Sequence, residues 1–252
     1  MTPGDVVLLL GGGFLAGTVN SVAGGGTLLS FPALLATGLS PVVANVTNTV
    51  AVWPGYVSGA AAFRGQLTGE RRLLVRLSVA AILGAVIGTV LLLTAPAKVF
   101  HQLVPYLVLG ATALLALQPG ISKSLAHRRP EGTSPRSTLA LTAATFVASI
   151  YGAYFGGGLG IIVFAVLALG LDRELAQLNG LKTMLALVIN TVALIGFAIF
   201  GPVDWAAAAL IAPASFLGGI VGARIGRRLD PRTLRIAVVL LGCGVGVRLL
   251  TS

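Results

Sequence analysis

FLAGTVNSVAGGGTLLSFPALLATGL, Phe14 to Leu39, is written a second time as FVASIYGAYFGGGLGIIVFAVLALGL, Phe146 to Leu171. The two stretches align without a gap at an offset of 132 residues, and ten of the twenty-six positions are identical. A chain this rich in Gly, Ala and Leu gives about three or four matches by chance, so the pair is a repeat. Each copy sets a Gly triplet, Gly24-Gly25-Gly26 and Gly156-Gly157-Gly158, inside a long apolar run. Glycines spaced by four let membrane helices pack closely. Three in a row are worse for a helix than that. Paired interrupted hydrophobic segments in corresponding halves point to the binding site of a secondary transporter.

Composition settles the solvent. Mean hydropathy is +0.97. Of all residues 56% are hydrophobic and only 10% are charged, against ~25% charged in soluble domains. Apolar stretches run at 5–37, 42–63, 72–94, 98–118, 138–171, 174–200, 203–223 and 234–250. A span needs ~20 apolar residues, so six of these read as single crossings. The two longest are too long for one helix and too short for two comfortable ones, and they carry the triplets. The fold class is an all-α polytopic membrane protein of two homologous halves. Each half holds a Gly-broken segment, re-entrant or twice-crossing, plus three transmembrane helices.

Several classes fall away. Met1-Thr2-Pro3-Gly4-Asp5 has no basic n-region and no signal-cleavage pattern follows, so the first segment is expected to stay in the mature protein. Cys243 is the single cysteine, which leaves no intramolecular disulfide. His101 and His127 sit at segment edges without the spaced partners a metal needs, and no cofactor is expected. The net charge of +10 flanks membrane segments and forms no single stripe, so nucleic acid is not an expected partner.

Basic residues gather in three connections: Arg64, Arg71, Arg72 and Arg76; Lys123, Arg128, Arg129 and Arg136; and Arg224, Arg227, Arg228, Arg232 and Arg235. The positive-inside rule makes all three cytoplasmic. Eight simple spans would put the third opposite the first two. If each triplet-bearing segment returns or crosses twice, all three fall on one side, with Asp5 and Asp204 outside. The halves are then inverted repeats. Residues 1–118 form the first, 138–252 the second, and 119–137 a basic, proline-broken cytoplasmic linker.

Backbone at a Gly break cannot face hydrocarbon with its polar groups unpaired. A half-helix starting there turns its N-terminal amides and dipole toward an anion. The candidate substrate-binding residues are therefore Gly24, Gly25, Gly26, Gly156, Gly157 and Gly158, joined by the polar residues that open the helices after each break. These are Asn45, Asn48 and Thr49, with Thr47 among them, and Gln177, Asn179 and Lys182, with Asn190 two turns deeper. Lys182 is either a site residue or a stem that snorkels to an interface. Asn190 either faces the same cavity or hydrogen-bonds across a helix pair. Asn20, Ser21, Tyr151 and Tyr154 precede the triplets and either line an approach or anchor at the interface. None of the seven acidic residues lies inside an apolar segment. Buried carboxylates for a proton or sodium path are missing, and so is a counter-charge for a cationic substrate.

Ala23-Gly24-Gly25-Gly26-Thr27 followed by Phe31-Pro32-Ala33-Leu34-Leu35, the Asn/Thr-rich start from Ala44 to Thr49, and Gly65-Gln66-Leu67 with its partner Gly201-Pro202-Val203-Asp204 carry a resemblance. Leu83-Gly84-Ala85 to Gly88, echoed by Leu217-Gly218-Gly219 to Gly222, completes it. In this order, over nearly the whole chain, these residues resemble the sulfite exporter TauE/SafE family of membrane transporter proteins. The resemblance implies a multi-pass bacterial plasma-membrane protein that moves small anions such as sulfite, sulfonates and related organosulfur anions. Phe164 stands where the first copy has Pro32, so the halves need not contribute equally.

The expected function is secondary transport, as an exporter, of such an anion by alternating access between the two Gly-broken segments. A passive anion channel of the same fold is the alternative. An enzyme would need a nucleophile with a base, or metal ligands, and these are missing. The expected partners are the small anionic substrate and the lipid bilayer, and a homodimer is left open.

Overall fold

The computed structural model describes residues 1–22, 24–67, 69–126, 135–225 and 231–251. The side chains of Lys123, His127, Arg128, Arg129, Arg136, Arg227, Arg228 and Arg232 lie outside the described part. Among the described residues there are ten α-helices, one 3₁₀ turn and no strand. The first half holds α1 (Pro3–Val22), α2 (Thr27–Ala36), α3 (Pro41–Phe63), α4 (Arg71–Thr94) and α5 (Ala97–Ala126), with the 3₁₀ turn at Arg64–Leu67. The second holds α6 (Pro135–Tyr154), α7 (Leu159–Gly170), α8 (Leu175–Phe200), α9 (Trp205–Ile225) and α10 (Pro231–Thr251). Helix α5 runs on past Gln118-Pro119-Gly120, where its apolar stretch ends.

Five helices are long and apolar enough to cross a bilayer: α1, α4, α5 over Ala97–Gly120, α8, and α9 over Trp205–Arg224. Helix α3 has 23 residues, but Asn45, Thr47, Asn48 and Thr49 dilute its apolar character. Beyond Arg76, helix α4 is almost wholly apolar. It buries Ala81, Gly84, Ala85 and Gly88 and exposes Val79, Leu83, Val86 and Val90. That pattern suits a helix with protein on one side and lipid on the other.

Each Gly triplet lies between two helices that fold back on each other. A methyl on Gly12 would meet Ala33, and one on Gly26 would overlap the Ala16 carbonyl, so α2 returns along α1. Gly152 against Leu159 and Gly170 against Leu141 give α6 and α7 the same relation. The central helices α3 and α8 run antiparallel. Trp53 Nε1 donates to Thr191 Oγ1 at 2.9 Å, and Asp204 N donates to Thr47 Oγ1 at 2.9 Å. At the other end Gly59 packs near Thr183, and Arg173 pairs with Glu70 at 2.5 Å. The 37–40 and 201–204 connections thus share one end of the bundle, and the 64–70 and 172–174 connections share the other.

The most extensive contacts cross between halves: α1 with α9, α3 with α9, and α4 with α6. They depend on absent side chains. A methyl on Gly218 would overlap the Phe14 carbonyl, and one on Gly222 would sit 2.5 Å from the Thr18 carbonyl. Gly84 and Gly88 stand in the same way against the Phe146 and Ile150 carbonyls. These are equivalent pairs, since Phe14 corresponds to Phe146 and Leu217-Gly218-Gly219 to Leu83-Gly84-Ala85. Thr18 Oγ1 donates to Gly218 O at 3.1 Å, and Ser21 Oγ to Gly219 O at 3.2 Å. Small residues with a few interhelical hydrogen bonds are how helices associate in lipid. Gly218→Val is expected to destabilise the detergent-purified protein by about 1–3 kcal/mol, read as a lowered Tm. Gly244→Val, with no atom within 4 Å of its added Cβ, should stay within about 0.5 kcal/mol of wild type.

Candidate functional site

The chain can turn at the triplets because three of the glycines adopt a backbone that other residues rarely take. Gly24 has φ +84°, Gly156 +77° and Gly158 +70°. At the first break Gly24 N reaches back to Val19 O at 3.0 Å. Asn20 Oδ1 then accepts from Gly26 N at 2.8 Å. At the second, Phe155 N and Gly156 N share Tyr151 O at 2.9 and 3.4 Å, and the Tyr151 hydroxyl donates to Gly157 O at 2.6 Å. Asn20 and Tyr151 therefore hold the breaks in shape.

The two breaks meet. Thr27 Oγ1, opening α2, donates to Gly156 O at 3.2 Å. Gly24 and Gly160 touch so closely that a methyl on Gly24 would lie 2.7 Å from Gly160 Cα. Phe31 stands edge-on to Phe155, with ring centroids 5.6 Å apart. Asn45 Nδ2 donates to Tyr154 O at 2.9 Å, tying α3 to the end of α6. All six triplet glycines are buried. The amides of Gly25, Gly157 and Gly158 meet no acceptor among the described residues. Two helix starts, α2 and α7, thus bring unpaired amides and their positive dipole ends to one buried place.

The remaining expected residues divide. Asn48 is buried at 3% exposure with Oδ1 unpaired. Thr49 Oγ1 bonds back to Asn45 O at 3.0 Å within its own helix. Gln177 is half-buried in the first turn of α8, and Asn179 Nδ2 is spent on Leu175 O at 3.0 Å, so neither joins the breaks. Lys182 is only 2% exposed, which means its stem does not reach out to an interface. No hydrogen-bond or ion-pair partner for it exists among the described residues. Its neighbour Thr183 shares the Gly59 contact with Ser21, three residues before Gly24, so Lys182 lies on the turn of α8 beside the first break. Asn190 Nδ2 bonds to Ala186 O at 2.8 Å, and the buried Tyr56 phenol faces its side chain.

A cavity of about 1230 Å³ opens elsewhere, between α1, α2, α5 and α10, and is lined by Leu29, Pro32, Pro105, His101 and Arg248 among others. None of the expected site residues lines it. Thr27 and Ser30 were invisible as site residues in the sequence: a hydroxyl inside an apolar run carries no spacing signal. Within the first triplet the positions are unequal. Gly24→Ala is expected to cost roughly 1–3 kcal/mol, from its positive φ alone and more from the Gly160 contact. Gly25→Ala, whose methyl would meet only the flexible ends of Leu115 at 3.4 Å and Ile161 at 3.7 Å, should cost less, as thermal unfolding of the two variants will show.

The chain matches the model of the sulfite exporter TauE/SafE family over residues 9–249. It is 29% identical over 242 residues to the Probable membrane transporter protein YfcA of Escherichia coli K12, covering 94% of this chain and 86% of that protein. It is 28% identical over 245 residues to the Probable membrane transporter protein ORF9 of a Sinorhizobium species, covering 95% and 90%. A Probable membrane transporter protein of Haemophilus influenzae is 24% identical over 229 residues, covering 91% and 88%. No solved structure matches significantly. With its apolar helices, its paired glycine breaks and a family match over nearly its whole length, the chain belongs to the sulfite exporter TauE/SafE family of membrane transporters.

Proposed function

We propose that this transporter exports a small anion, with sulfite, a sulfonate or a related organosulfur anion as the substrate class. The anion is bound between the two Gly-broken segments and exposed alternately to either side of the membrane. The observation that carries the reading is the buried meeting of the breaks, where amides of Gly25, Gly157 and Gly158 find no acceptor among the described residues. Buried donors without partners cost about 1–3 kcal/mol each. An oxyanion supplies the acceptors they lack and is favoured by both helix dipoles. Lys182, buried beside the first break, adds the one full positive charge.

The antiparallel α3–α8 pair and the equivalent Gly218–Phe14 and Gly84–Phe146 contacts favour an inverted repeat, 1–118 against 138–252, joined by 119–137. With α1–α2 and α6–α7 read as re-entrant hairpins, the basic connections gather at one end of the bundle. By the positive-inside rule that end is cytoplasmic in the plasma membrane, and Asp204 lies outside. Two halves of opposite orientation give the two-state rocking that alternating access needs.

The test is anion flux into proteoliposomes with sulfite and with an organosulfonate. Saturable flux is expected, falling about ten- to a hundredfold in a folded Lys182→Ala variant, the size of a lost hydrogen bond to a charged group. Flux that rises linearly with concentration would favour a passive channel. No flux with either anion, in protein shown to be folded, would remove the substrate class.

A further inference from the structure

Beside the second break, other buried side-chain oxygens lack partners. Ser30 Oγ, Asn45 Oδ1 and Asn48 Oδ1 are buried oxygens without a hydrogen-bond partner. Ser30 and Asn45 are 0% exposed and Asn48 is 3% exposed. The orientation of the Asn45 amide is fixed: its Nδ2 donates to Tyr154 O at 2.9 Å, and a carbonyl can only accept. Its Oδ1 is therefore the free end. Asn48 lies one turn further along the same face of α3.

Ser30 stands at the same depth. Helix α2 ends at Ala36 and α3 begins at Pro41 after a short connection, so the two are antiparallel neighbours. Ser30 is six residues before that connection, and Asn45 and Asn48 are four and seven residues into α3. At 1.5 Å per residue all three fall within about 5 Å of one another in depth. Asn45 binds the C-terminal end of α6, where the helix dipole is negative, and α2 reaches the same end through Phe31 against Phe155.

The fixed Asn45 carbonyl and a negative helix end repel an unprotonated anion and call for a donor or a cation, and the Ser30 hydroxyl and the Asn48 amide can each turn an oxygen to it. No titrating group is involved, so a proton is not the occupant. Among the described residues no cluster of His, Cys, Asp or Glu is placed to hold a metal, so the charge of a divalent ion would go uncompensated. Lys182 is remote. The antiparallel register sets it opposite the far end of α3, about 20 Å from Asn45 along the helix. A small monovalent cation fits what remains, since unwound backbone and half-helix C-terminal ends coordinate such ions in transporters.

We propose that Ser30, Asn45 and Asn48 are side-chain ligands of a sodium ion at the C-terminal end of α6. Its role as the coupling ion rests on the transport reading above; its binding does not. The experiment is thermal unfolding of the purified full-length protein in NaCl, KCl and choline chloride at equal ionic strength, together with anion flux in sodium and in choline. Sodium at ten times its dissociation constant should raise Tm by roughly 3–6 °C over choline. The rise should shrink or vanish in Ser30→Ala and in Asn48→Leu. Ser30→Ala is mild enough to keep the test open if Asn48→Leu does not fold. An equal Tm in sodium and choline means that the oxygens hold water only, and overturns the site. An equal rise in potassium, or a full rise in both variants, also overturns it. Sodium stabilisation without anion flux in either salt leaves the ion site standing and removes the transport reading. Equal flux in both salts without stabilisation does the reverse.

Discussion

Everything in this structure answers to one constraint: inside hydrocarbon, a backbone N–H or C=O that leaves a helix must find a partner within the protein. The chain leaves helix twice in its interior, at the triplets, and each departure is underwritten by a named group. Asn20 takes the Gly26 amide. Tyr151 takes the Gly157 carbonyl, Thr27 the Gly156 carbonyl and Asn45 the Tyr154 carbonyl. What these groups leave unsatisfied is not scattered. Donors remain at the two helix starts, and the Ser30 hydroxyl and the Asn45 and Asn48 oxygens remain open on α2 and α3.

The second determinant is closeness. Lipid gives helices no hydrophobic reason to associate, so contact depends on backbones approaching until dispersion and interhelical hydrogen bonds suffice. Gly84 and Gly88 give α4 that approach to α6, and Gly218 and Gly222 give it to α9 on α1. The triplets are different in kind. Gly24, Gly156 and Gly158 are there for their backbone angles. Gly25 has room for a methyl against a leucine side chain.

Much of this was legible beforehand, and for physical reasons. Apolar length bounds helices closely: the 72–94 and 174–200 stretches became Arg71–Thr94 and Leu175–Phe200. The doubled Gly triplet marked the interruptions because three consecutive glycines have little else to do in a bilayer. Side-chain direction was not legible. Asn45 and Asn179 look alike in sequence, yet one reaches across to Tyr154 and the other folds onto its own helix. Lys182 was equally ambiguous, because the choice between burial and snorkelling turns on which neighbours surround α8. Asn20 and Tyr151 read as approach or anchor residues, since nothing in a linear string says which carbonyl will need a donor.

The equivalent pairs α1–α9 and α4–α6 interlock the halves. The groove that receives α1 is built from the other half, and so is the one that receives α6. A polypeptide ending at the linker would present carbonyl-lined furrows to lipid with nothing to fill them. On the inverted-repeat reading proposed above, closure would come from a second copy threaded through the bilayer in the opposite sense. Fusion into one chain removes that search, and it also frees the halves to diverge. Phe155 beside one break, where the other has Ala23, is a trace of that freedom. The tightly packed units of the molecule are consequently not its sequence halves but mixed bundles, α1 with α3 and α9 on one side and α4 with α6 and α8 on the other.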